Sequence, residues 1–176
     1  MTGNFKECLD LVLKSEGGFT KDERDPGNAG GKCTNLGITQ QSLEEWLGHD
    51  VDEKFMRKLT PEMAAPFYEQ KYWRPCYAGV LPRGLDLLIF SAAVNTGPGR
   101  AVKLLQSTLG LVSDGIIGPK VRELVSNSNC ATLIAKFSEA RREYYRALKN
   151  FPVFGSGWLA RVDREESEAL NMVKNS

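Results

Sequence analysis

Residues 85–94 are apolar on nearly every side, interrupted only by Asp86 and Ser91. A helix of that kind has no face to offer water, so it belongs at the centre of a helical domain. It is too short to cross a bilayer, which takes roughly 20 apolar residues, and no other stretch comes closer. A chain of 176 residues with 41% apolar side chains has enough material for the core that such a helix needs. One compact domain is expected, with a lobe over 1–80 and a second, helical lobe over 81–176.

The rest of the pattern is helical almost throughout. Asn4 followed by Glu7 reads as a capping-box variant that opens a first helix. Along it Phe5, Cys8, Leu9, Val12 and Leu13 recur at helical spacing as one apolar stripe. Thr39 caps a short helix that ends at Gly48. Thr60-Pro61 starts another that runs to Tyr72-Trp73, with Pro66 expected to kink it or delay its start. Asn95-Thr96-Gly97-Pro98 closes the central helix. Amphipathic helices follow over 100–109, after Gly118-Pro119, over 131–148, and over about 158–173. Arg141-Arg142 and Arg161 read as solvated helix faces, and Gln106 and Asp114 as structural.

One stretch departs from this pattern. Residues 16–39 are rich in Gly, Asp and Asn, with short extended pieces near Phe19 and Leu36-Gly37-Ile38, which predicts a small β-hairpin. Glu16 follows Val12 by four positions and so continues the buried stripe of the first helix. Partial burial disfavours the charged carboxylate and raises its pKa, as a general acid at neutral pH requires. A carboxyl at a helix end, facing a second carboxyl on a glycine-rich hairpin, suits acid-assisted cleavage of a glycosidic bond. Asp22 and Asp25 compete for the second role, and Thr34 is a candidate hydroxyl beside them. The plainer reading of each is a solvated glutamate, turn aspartates and a loop hydroxyl.

Charge and cysteine usage narrow the classes further. A net charge of +1 gives no electrostatic footprint for nucleic acid. Cys8, Cys33, Cys76 and Cys130 are widely spread, and His49 is the single histidine, so a zinc site is not expected. The four are read as free, partly buried thiols. The N-terminus shows no basic segment leading into an apolar run, so the expectation is a product made in the cytoplasm without a signal peptide.

Glu16-Gly17-Gly18-Phe19, then Asp25-Pro26-Gly27, then Thr34-Asn35-x-Gly37-Ile38-Thr39 resemble glycoside hydrolase family 108. The likeness continues through Tyr72-Trp73, Val94-Asn95-Thr96-Gly97, Asp114-Gly115-Ile116-Ile117-Gly118-Pro119 and Gly157-Trp158. The resemblance implies a mainly α, lysozyme-like fold with a small β-hairpin near the active site. It implies a muramidase of the phage-endolysin kind, with the second half similar to a peptidoglycan-binding region. Glu16 matches the family's catalytic glutamate, Asp25 the aspartate that assists water or the cationic transition state, and Thr34 the threonine that helps hold that water. Tyr72, Trp73, Asn95 and Trp158 are the sugar-binding candidates, as aromatic platforms and an amide suited to hexosamine rings. No cofactor or metal is expected. The expected partners are peptidoglycan glycan strands, with a holin or a secretion system giving a monomer access to the periplasm or wall, and neither nucleic acid nor stable membrane insertion. A lytic transglycosylase and a non-catalytic wall-binding module are the alternatives.

Overall fold

The computed structural model describes residues 4–22 and 26–175, and only the backbone of Pro26, Gly27 and Ala29. The chain is mainly α, with one small antiparallel hairpin, as the sequence predicts. It divides into two units. One is Lys6–Lys71; the other is the described chain from Tyr72 onward together with Asn4 and Phe5.

In the second unit, α5 (Leu85–Thr96) is the central helix, and every residue from Leu85 to Ala93 is buried. The two polar members of that run are both hydrogen-bonded, as burial demands. Asp86 Oδ1 accepts from the backbone N–H groups of Gly84 and Leu87, each at 2.8 Å, and Oδ2 from Asn4 Nδ2 at 3.0 Å. Burial nonetheless pushes the Asp86 carboxyl above its ordinary value, partly countered by Asn4 and those backbone donors. α6 (Pro98–Thr108), α7 (Pro119–Ser126), α8 (Cys130–Arg146) and α9 (Phe151–Lys174) complete the unit. Gln106 is buried and gathers the loop after α6, donating to Asp114 Oδ1 and the Ile116 carbonyl and accepting from the Gly115 N–H. That is the structural role its sequence context predicts.

Two features of this unit differ from the sequence reading. α9 begins at Phe151, well before 158, and runs straight through Gly155 and Gly157. The Phe151 ring lies where a β-carbon on Gly155 would come within 2.5 Å, so this glycine makes room for a ring packed on the helix and does not break it. Arg141 is not on a solvated face. It is 1% exposed and donates to Glu165 Oε2 at 2.8 Å, while Ser91 Oγ donates to Glu165 Oε1 at 2.7 Å. Arg141 falls on the same stripe of α8 as Ile134, Phe137 and Ser138. A buried guanidinium is tolerated there because a carboxylate from α9 meets it.

In the Lys6–Lys71 unit, α1 (Phe5–Leu13) buries the stripe read from the sequence, with Cys8, Leu9, Val12 and Leu13 all inside. A 3-10 helix (Pro26–Gly31) precedes strands β1 (Thr34–Asn35) and β2 (Ile38–Thr39). The strands pair antiparallel, Thr34 with Thr39 and Asn35 with Ile38. Leu36-Gly37 is thus the hairpin turn and not part of a strand. Thr39 then caps α2 (Gln40–Leu47), its Oγ1 accepting from the Ser42 N–H at 3.2 Å, and Gly48 ends it in the left-handed conformation. α3 (Glu53–Arg57) follows. α4 (Pro61–Tyr68) starts at Pro61 under a Thr60 cap, carries Pro66 inside, and widens into a π turn over Glu69–Trp73. All four cysteines are free thiols, and among the described residues no helix is long and apolar enough to cross a membrane.

Candidate active site

Glu16 stands three residues beyond the end of α1. The helix stops at Leu13, but hydrogen bonds from the Ser15 N–H to the Val12 carbonyl and from the Glu16 N–H to the Leu13 carbonyl wind the chain through one tighter turn. That turn delivers Glu16 to a half-buried position. Gly17 and Gly18 follow it in open space.

The hairpin meets Glu16 at its tip. Leu36 and Gly37 both have positive φ, 50° and 72°, the signature of the two-residue turn whose twist matches a hairpin. Glycine adopts this conformation freely, whereas leucine does so only when its surroundings hold it there. Tyr68, buried at the end of α4, supplies that hold: its hydroxyl donates to the Leu36 carbonyl at 2.7 Å. A β-carbon on Gly37 would sit 2.8 Å from Glu16 Oε2 and 2.9 Å from the Tyr68 hydroxyl oxygen. The turn backbone, the tyrosine hydroxyl and the carboxyl therefore converge on one point. Neither Tyr68 nor the role of Gly37 emerged from the sequence. The signal for the turn was present in Leu36-Gly37 between two short extended pieces; nothing local marks Tyr68.

Thr34 opens β1 on the same hairpin. Its backbone exchanges hydrogen bonds with Thr20 (2.8 and 2.9 Å), and its Oγ1 donates to Asn28 Oδ1 at 2.8 Å. Asn28 is fully buried, and its Nδ2 donates to the Asp22 carbonyl at 3.1 Å. One amide thus ties Asp22 to Thr34 across the glycine-rich loop. Asp22 is exposed, and Asp25 lies outside the described residues. The segment carrying Phe19 and Lys21 is fastened to α3: Lys21 and Arg57 both reach Glu53, at 2.8 and 2.7 Å, and the Arg57 guanidinium lies 3.8 Å from the Phe19 ring centroid. Lys21 first, then Arg57, hold the Glu53 carboxyl below its ordinary range. On the far side of the hairpin, Lys32 pairs with Glu44 of α2 at 2.8 Å.

The other site candidates lie in the second unit. Trp73 is 3% exposed and packs edge-on against Phe5 and Phe90, with centroids 5.2 and 5.3 Å away, so it belongs to the core of that unit. Tyr72 is half-buried. Asn95 is exposed at the end of α5; its Nδ2 donates to the Ser91 carbonyl at 2.7 Å and its Oδ1 accepts from Arg161. Arg161 is therefore engaged with Asn95 and not simply solvated. One turn earlier on α9, Trp158 is half-buried between Tyr145 (5.5 Å) and the exposed Phe154 (5.8 Å). The structure thus brings Glu16 and Thr34 to one hairpin, and Asn95 and Trp158 to one corner of the second unit. Among the described residues no group of three His, Cys, Asp or Glu side chains forms a metal site.

A mainly α chain whose small hairpin presses its turn against a glutamate just past the first helix has the make-up of a lysozyme-like glycoside hydrolase. The chain belongs to glycosyl hydrolase family 108, whose model matches residues 9–97, and it is therefore a glycoside hydrolase of the peptidoglycan-degrading class. Its fold is shared with SagA from Brucella abortus, at a TM-score of 0.82 and 35% identity over 97% of this chain and 95% of that one. Among curated proteins none matches it.

Proposed function

We propose that the chain is an N-acetylmuramidase that hydrolyses the β-1,4 bond between N-acetylmuramic acid and N-acetylglucosamine, with Glu16 as proton donor. The observation that carries this reading is the placement of the half-buried Glu16 carboxyl against the Gly37 turn and near the Tyr68 hydroxyl. Glu16 gives its proton to the glycosidic oxygen as the bond to the anomeric carbon breaks. Water adds to that carbon, and its proton restores a neutral carboxyl by way of the second carboxylate. Asp25 is proposed for that second role, with Asp22 as the competing carboxylate, and the Thr34 hydroxyl for holding the water. Asn95, Trp158 and Tyr72 are proposed sugar contacts, while Trp73 enters only through its packing.

The biological setting belongs to the same proposal. The enzyme acts on the wall, in phage lysis or in opening the wall for secretion, with a holin or a secretion system providing access. The helical part over 81–176 contributes peptidoglycan binding, and the working form is a monomer.

Mass spectrometry of muropeptides released from purified sacculi tests the reaction. The proposal expects reducing N-acetylmuramic acid ends. Anhydromuramyl ends would assign a lytic transglycosylase instead, and wall binding with no released ends would make the chain a binding module.

A further inference from the structure

The loop between Asp22 and Thr34 buries one amide completely. Asn28 lies in the Pro26–Gly31 3-10 helix and is 0% exposed, and a buried amide is stable only when its donor and acceptor atoms find partners. Its Nδ2 donates to the Asp22 carbonyl at 3.1 Å, and its Oδ1 accepts from Thr34 Oγ1 at 2.8 Å. Both ends of this bridge are tied to Thr20 as well. Thr20 Oγ1 accepts from the Asp22 N–H at 3.3 Å, and the Thr20 backbone exchanges two hydrogen bonds with that of Thr34. Thr20 comes four residues after Glu16, so the bridge is built on the segment that leaves the proton donor.

The direction of each bond follows from the chemistry of the partners. A backbone carbonyl only accepts, so the Asn28 atom that faces Asp22 is the nitrogen, and the oxygen is left for Thr34. That oxygen has no proton to give, so the Thr34 hydroxyl donates to it. A threonine hydroxyl has one proton and two lone pairs. With the proton spent on Asn28, Oγ1 can only accept from anything else it meets. Thr34 is half-buried and not sealed in the core. A water that reaches its hydroxyl is therefore held by one of the water's own hydrogens.

We propose that Asn28 is a positioning residue that acts through Thr34, fixing the direction in which its hydroxyl hydrogen-bonds. The inference rests on the muramidase reading of the Glu16 site. With Thr34 able only to accept, the attacking water gives one hydrogen to Thr34 Oγ1 and the other to the second carboxylate. A lone pair of the water oxygen is then left for the anomeric carbon. As the new C–O bond forms, the hydrogen on the carboxylate side passes to the carboxylate. The one held by Thr34 stays as the hydroxyl of the new reducing end, and the Glu16 proton departs on the glycosidic oxygen. A Thr34 hydroxyl released from Asn28 could donate to the water instead, and would then compete for the lone pair that attacks.

The test is a double-variant cycle on the full chain, read as kcat and KM for the release of reducing ends from soluble glycan strands. It is run at a temperature where every variant is folded. Asn28→Ala should lower kcat about tenfold and leave KM within about twofold, as misplacing a reactant does. Where the alanine variant does not fold, Asn28→Leu fills the same space and takes its place. In a Thr34→Val chain the substitution at Asn28 should cost nothing more in kcat, because the hydroxyl it acts through is gone. Thr34→Ser keeps a hydroxyl and should restore the sensitivity to Asn28. An unchanged kcat for the Asn28 variant, a rise in KM alone, or an equal loss of kcat with and without the Thr34 hydroxyl overturns this inference. Each of those results leaves the muramidase reading standing as long as the wild-type chain releases reducing ends. Anhydromuramyl ends from the wild-type chain overturn both, because no water then attacks.

Discussion

Gly37 is a glycine because Glu16 is beside it: a β-carbon there would lie 2.8 Å from the Glu16 carboxyl oxygen, on a backbone already at φ 72°. Gly37→Ala should therefore act twice. Left-handed strain should cost about 1–3 kcal/mol of stability, read as a lower melting temperature. Displacement of the carboxyl should slow clearing of purified walls by more than the stability loss explains. A variant that is destabilised yet clears at the wild-type rate would show that the contact is only structural.

The hydroxyl of Tyr68 fixes the other side of the same turn through the Leu36 carbonyl. Tyr68→Phe keeps the ring and removes that bond, which should cost about 1 kcal/mol. Because Leu36 is held at a φ that leucine rarely adopts, its turn should loosen. The expected kinetic signature is a fall in kcat with KM nearly unchanged, since the tyrosine acts on the position of Glu16 and not on the sugar. A rise in KM alone would contradict this role.

Asp86 predicts a pH dependence of stability. Burial raises its pKa in the folded chain above the ordinary value of 3.8. Between those two values the folded state holds more protons than the unfolded one, so stability falls as pH rises through the window and then levels off. Asp86→Asn cannot ionise and loses this slope. Urea unfolding at about pH 4 and about pH 7 should show the variant gaining on wild type as pH rises. An equal difference at both values, or a change of the opposite sign, would contradict the assignment.

Much of this was legible in the sequence, and the failures share a cause. The stripe of α1, the Thr39 and Thr60 caps, and the buried run of α5 are local patterns, and each forms as read. Glu16 was read as one more helical position after Val12, whereas the helix proper ends at Leu13 and a tighter turn carries the chain on to it. Tyr68 and Asn28 could not be found that way, because their roles depend on contacts far along the chain, Tyr68 with Leu36 and Asn28 with both Asp22 and Thr34. Arg141 was misread for the same reason. Its burial is tolerable only because Glu165 arrives from another helix. The start of α9 was placed too late, at about 158, because the packing of the Phe151 ring over Gly155 is not visible in the local pattern.

The most direct measurement of the central claim is the rate at which Glu16→Gln releases reducing ends from purified peptidoglycan. The substitution keeps the shape of the side chain beside Gly37 and removes the transferable proton. A positioned general acid is worth about 10²–10⁴ in rate, so the variant should retain wild-type wall binding and melting temperature while its turnover falls by at least about a hundredfold. Turnover at the wild-type rate would remove Glu16 from the chemistry.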